Sequence, residues 1–155
     1  QRDGDVVGVD GASPIQFGVG AGNYFLAVRH RNHLGAMTST AIGLSPSVSD
    51  LDLSAPATAT WGTNARKSLG SVMVLYMGNT TLDGQLKYTG TTNDRDPILT
   101  TVGSTTPTNI VSGYQGVDVN LDGLVKYTGS GNDRDPILVN VGSTTPNNIR
   151  GEQLP

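Results

Sequence analysis

The side chains best suited to chemistry in this chain are oxygen donors. Asp118, Asn120 and Asp122 stand at alternate positions and Gly123 follows at once, giving D-x-N-x-D-G within "DVNLDGLVKYTGSGNDRDPIL" at 118–138. Calcium takes about six to eight hard oxygens at roughly 2.3–2.6 Å. Side chains at the first, third and fifth positions curl round one ion. The glycine after them permits the bend that turns the next carbonyl inward, here that of Leu124.

In an EF-hand-type loop a carboxylate at position twelve closes the shell. That position is Gly129 here and carries no ligand. The nearest candidates are Asp133 and Asp135, so the expected site is a calcium loop with an insertion, closed by Asp133, Asp135 or both. Asp135-Pro136 also reads as a helix start, with Asp as N-cap and Pro at the first helical position. Ile137, Leu138 and Val141 give that short helix an apolar stripe, and Gly142 ends it.

The same phrase occurs earlier as "NTTLDGQLKYTGTTNDRDPIL", residues 79–99. Aligned at an offset of 39, residues 79–110 and 118–149 are identical at 22 of 32 positions, the mark of a duplication. The first copy offers Asn79, Thr81, Asp83 and the carbonyl of Gln85, with Asp94 and Asp96 behind them. One carboxylate replaces two in the opening turn, so a weaker calcium site is expected there. Its helix is expected to start at Asp96-Pro97.

Other constellations carry less. No serine lies in G-x-S-x-G and no nucleophile–base pair is evident. The carboxylates of "NDRD" mimic a glycosidase dyad but sit beside a calcium loop and an arginine. His30 and His33 on a strand would point to opposite faces unless the chain turns at Asn32. Trp61 is expected in the core. Asn79-Thr80-Thr81 is a formal glycosylation sequon. The expectation is a protein without catalytic activity.

Those loops need a scaffold. The 155 residues include 21 Gly, 8 Pro and no Cys, and only 15% are charged. Short strands and tight turns suit that composition. The net charge of −3 lacks the basic footprint that nucleic acid requires. No apolar run is long enough to span a membrane as a helix. Residues 1–60 alternate like strands: "DVVGVDG" ends in an Asp10-Gly11 turn, "PIQFGVGAGN" aligns Ile15, Phe17 and Val19, and "NYFLAVRHRNH" alternates most clearly. "AMTSTAIGL" and "VSDLDLSA" follow the same pattern. The expected fold is mainly β: an Ig-like or jelly-roll-type β-sandwich at 1–60, expected to be incomplete, then a bridging segment at 61–78 with a buried strand at Val72–Met77. Tandem calcium-loop repeats at 79–149 follow, and a tail at 150–155.

With those residues in view, the tandem repeats resemble dockerin modules, which share the D-x-N-x-D-G opening and a following short helix. The chain more nearly resembles the C-terminal region of large secreted bacterial surface proteins. "GNYFLAVRHRNHLG" at 22–35, "VNLDGLVKYTGSGNDRDPIL" at 119–138 and the final "EQLP" carry that likeness. It implies secretion to the cell surface, bound calcium and a β architecture without catalysis.

The functional expectation is an extracellular, calcium-stabilised structural protein, a subunit of a surface assembly or filament. The partner would be further copies of the chain, joined by strand donation. In that family the β-domain usually continues upstream of "QRDGDVVGVDG", so a strand is expected to be missing from the sandwich. The segment Arg2–Val9 is the favoured donor and "IRGEQLP" the weaker one. The alternative is a dockerin-like or carbohydrate-binding docking module.

Overall fold

A computed structural model describes residues 5–47 and 50–155. They form a mainly β protein with two short helices, and every strand has one partner strand. The strands pair as five two-stranded antiparallel sheets rather than as two stacked multi-stranded ones. No helix among the described residues is long and apolar enough to cross a membrane.

Residues 22–44 form one long, interrupted hairpin. Strand β1 (Gly22–Tyr24) pairs with β4 (Ile42–Leu44), and β2 (Ala27–Val28) with β3 (Ala36–Met37). The register changes between the two pieces. Phe25 and Leu26 on one arm face Thr38 to Ala41 on the other, a bulge that bends the ribbon. This is why the continuous strand expected from "NYFLAVRHRNH" is split. The Thr38 side chain fills the break: its Oγ1 accepts from Leu26 N at 3.2 Å, and its own N donates to Leu26 O at 3.0 Å.

The strands expected at Ile15–Val19 and around Leu51–Leu53 do not form. Residues 52–58 are instead a compact turn held by Arg66. Its guanidinium donates to the carbonyls of Leu53, Ala55 and Thr58, and the residue is buried. Val72–Met77 is not a buried strand either. β5 (Lys67–Leu69) and β6 (Val72–Val74) make a tight hairpin whose tip is exposed, and only Tyr76 beyond it is buried.

The duplicated half holds most of the core. Each copy supplies a first strand, a helix and a closing strand. These are β7 (Gln85–Lys87), α1 (Arg95–Thr101) and β8 (Ile110–Ser112), then β9 (Leu124–Lys126), α2 (Arg134–Val141) and β10 (Ile149–Gly151). The closing strand of each copy pairs with the first strand of the other. Ile110 lies opposite Lys126, and Ile149 opposite Lys87, so both ladders keep equivalent register. Between them pack Ile98, Val102, Val119, Val125 and Ile137. A second cluster of Leu34, Tyr76, Leu86 and Val141 joins the N-terminal half to this unit.

Two further contacts make that joint. Asn32 is the first buried residue of the described chain. Its backbone carbonyl accepts from Gly78 N and Asn79 N, at the mouth of the first loop. Its amide donates to Gly116 O at 3.0 Å and Asp118 O at 2.8 Å, at the mouth of the second. The C-terminal segment straps the other side. Glu152 accepts from Gly35 N at 2.7 Å, pairs with Arg29 at 2.8 Å, and donates its own N–H to Gly84 O.

Candidate metal-binding loops

The two loops are built alike and filled differently. In the second, Asp118 begins the turn and is 1% exposed. Its Oδ2 accepts from Gly123 N at 3.0 Å, and its Oδ1 is buried without a hydrogen-bond partner. Gly123 adopts φ +85°, the left-handed bend that the sixth position of such a loop requires. Asn120 Oδ1 accepts from Asp122 N, and Asp122 Oδ1 accepts from Leu124 N, both at 2.9 Å. The outer oxygen of Asp122 faces Lys126 Nζ at 3.9 Å.

An orphaned, buried carboxylate oxygen costs free energy unless a cation or donor meets it. Asp118 Oδ1 therefore fits a divalent ion held with the Asp122 carboxylate, the Asn120 amide oxygen and the Leu124 carbonyl. No group of three or more His, Asp or Glu side chains converges among the described residues. The oxygens of such a loop come in part from amides and main chain.

Asp133 closes the loop by another means. It is fully buried. Its Oδ1 accepts from Val119 N at 2.7 Å and Asn120 N at 3.3 Å, and its Oδ2 accepts from Lys126 N at 2.8 Å. The carboxylate is a clamp on three backbone N–H groups. Burial pushes its pKa up from the ordinary value, and the three N–H groups pull it back only in part. Asp94 repeats the device, accepting from Thr81 N at 3.1 Å and Lys87 N at 2.8 Å. Burial raises its pKa too.

Asp135 and Asp96 bond the asparagines at the helix starts, and the helices start earlier than Asp135-Pro136 and Asp96-Pro97 imply. α2 begins at Arg134 and α1 at Arg95. The expected cap is displaced because an asparagine three residues ahead of each aspartate takes the role. Asn132 Oδ1 accepts from Asp135 N at 2.9 Å, and its Nδ2 returns a bond to Asp135 Oδ2 at 2.8 Å. Asn93 and Asp96 do the same at 3.2 and 2.9 Å. The asparagine oxygen caps the first turn, and the return bond runs side chain to side chain rather than to a backbone N–H as in a full capping box. Arg134 stacks on Tyr127 and Arg95 on Tyr88. Every residue of "NDRDPI" thus has a structural duty: cap, clamp, stack, cap partner, first-turn Pro and core.

In the first loop Asn79 replaces Asp118. Its Oδ1 accepts from Asp83 N at 3.2 Å, so that oxygen has a partner. The Thr81 hydroxyl turns to Asp94 Oδ1 at 3.0 Å. Asp83 Oδ1 accepts from Gln85 N at 2.9 Å, and its Oδ2 receives Lys87 Nζ at 3.4 Å.

His30 and His33 do meet, because the chain turns at Arg31 (φ +41°) and Asn32. The rings make an edge contact at 5.0 Å. Burial, then His30 and Arg31, lowers the His33 pKa to about 4. Trp61, expected in the core, is 44% exposed. Asn32, Asn93, Asn132 and Glu152 were not singled out by the sequence reading. The N-x-x-D spacing of a capping box was the available signal for the middle two, while the other two act across the chain. Comparison with protein-family models, with curated proteins and with solved structures finds no match to this chain.

Proposed function

We propose that this chain is a calcium-stabilised structural subunit of an extracellular surface assembly, joined to further copies through its N-terminal segment. One observation carries the assembly reading. No residue from 5 to 31 is buried, and Val6, Val9, Ile15, Phe17, Val19 and Phe25 all expose large apolar side chains. Apolar surface of this kind marks an interaction site when it is contiguous. The segment already bends into strand-like pieces, with a Val7–Pro14 bridge and an Asp10 turn that accepts from Ala12 N and Ser13 N. A strand from here adds to the open edge of one of the two-stranded sheets in the next copy by main-chain pairing. Repeated head to tail, that contact builds a filament. Residues Arg2 to Gly4 of the favoured donor lie outside the described residues. The competing donor, "IRGEQLP", is already engaged in cis as β10 and the Glu152 strap.

The calcium part of the reading rests on Asp118 Oδ1, and on the likeness of the two loops to dockerin-like repeats. Two loop carboxylates suit the weak end of calcium affinity, which extracellular calcium saturates. Deleting residues 1–9, or substituting Val6→Asp with Val9→Asp, should abolish polymers in electron micrographs and leave a folded monomer. Polymers that survive both changes, or a wild-type chain that stays monomeric at millimolar calcium, would overturn the assembly reading. The exposed Trp61 favours carbohydrate binding as the second reading. Quenching of its fluorescence by oligosaccharides, with no polymer formed, would select it.

A further inference from the structure

The two copies differ at the ten positions left when 22 identities are taken from 32. Three of those ten meet round the loop opening. Asn79 stands for Asp118, Thr81 for Asn120, and Thr92 for Gly131. Their effects point the same way. Asn79 has one negative charge fewer, and its oxygen is occupied by Asp83 N. Thr81 is turned away to Asp94. Thr92 Oγ1 accepts from Lys87 Nζ at 3.3 Å, which fixes that ammonium while it pairs with Asp83 at 3.4 Å. The Lys87 side chain is 16% exposed.

The second copy lacks the hydroxyl anchor. A Cβ on Gly131 would lie 3.8 Å from both Lys126 Nζ and Asp122 Oδ2, so the space that a side chain takes in the first copy is open here. Lys126 Nζ sits 3.9 Å from Asp122, with no second partner of the Thr92 kind. Asp118 Oδ1, meanwhile, is buried and unpartnered.

We infer that the first loop is a metal-free counterpart, held by the Lys87 ammonium in place of an ion, and that the chain takes a single divalent cation, in the second loop. This rests on the calcium reading of the second loop and replaces the expectation of a weak site in the first. Lys126 is the group a metal displaces there, and Gly131 is what makes it displaceable. Copy one thus holds its shape at any calcium level, while copy two responds to calcium.

Native mass spectrometry and calorimetry with calcium chloride test the count. Wild type should bind one equivalent, and Asp118→Asn none. The triple change Asn79→Asp, Thr81→Asn and Thr92→Gly should bind two. Two equivalents in wild type, one retained in Asp118→Asn, or one in a triple variant with native circular dichroism would overturn the inference. No binding by wild type would overturn the calcium reading with it. The ammonium is tested separately, in chelator: Lys87→Met should lower the melting temperature more than Lys126→Met. Equal losses would show that Lys87 does not hold its loop as an ion would.

Discussion

The Asp133 clamp gives the most direct quantitative test. Asp133→Asn preserves size and removes the charge. The carboxylate serves three N–H groups from two sides, Val119 and Asn120 on one oxygen and Lys126 on the other. Asn keeps a single oxygen, so its NH₂ must face a backbone donor whichever way it is turned. A hydrogen bond to a charged acceptor contributes about 1.5–3 kcal/mol, and an unsatisfied buried N–H costs about 1–3. Burial already opposes the Asp133 charge, and its removal returns part of the loss. A net destabilisation of about 2 kcal/mol remains, which for a chain of this size lowers the melting temperature by about 4–8 °C. The assay is thermal unfolding by circular dichroism in chelator, so that no metal linkage enters. Asp135→Asn is the control: its side chain is 57% exposed, and the fall should stay under about 2 °C. If Asp133→Asn melts with the control, the clamp is not what closes the loop.

Asn32→Ala should loosen the joint between the halves, because it strips two donors from the carbonyls of Gly116 and Asp118. A loss of about 2–3 kcal/mol is expected, read by chemical denaturation. Limited proteolysis should then cut the N-terminal hairpin first; an unchanged midpoint would argue against the bridge. His33 predicts a pH dependence. Its folded pKa of about 4 lies below the ordinary 6.5, so the unfolded chain binds the extra proton and stability falls as pH drops from about 6.5 to about 4. At roughly 1.4 kcal/mol per unit the upper bound is about 3.5 kcal/mol, less what residual solvent screening removes. Metal-free melts of wild type and His33→Gln should converge toward pH 4; parallel curves would refute the assignment.

The sequence is most legible where the contacts are local. The duplication, the two loop openings, the left-handed bends at Gly84 and Gly123 and the short helices with their glycine stops all follow from spacing. The helix start is misread by two residues because Asp-Pro is a strong local signal, and the competing Asn132 cap acts through a side chain three residues ahead. Alternation at 22–31 signals strand correctly but cannot reveal that four residues on the opposite arm face two. Ile15, Phe17 and Val19 alternate as well, yet among the described residues they stay 40%, 53% and 54% exposed, so alternation there does not mark a buried strand. Asn32 is invisible for another reason: the partners of its side-chain amide are more than eighty residues away, and polar contacts at that range leave no periodic trace.

The crossed pairing of β8 with β9 and of β10 with β7 bears on how such a unit arises. A copy cannot complete its own ladder, since its closing strand belongs to its neighbour's first strand. Two copies exchange closing strands, one ladder in each direction. The pair is therefore a reciprocal exchange closed between two copies, unlike a solenoid, in which each repeat meets the next in the same sense. The same closure is available between chains: an ancestral single copy pairing with its twin would make the same two ladders. The linker through Gly113–Val117 holds by covalent connection what such a dimer would hold by association alone.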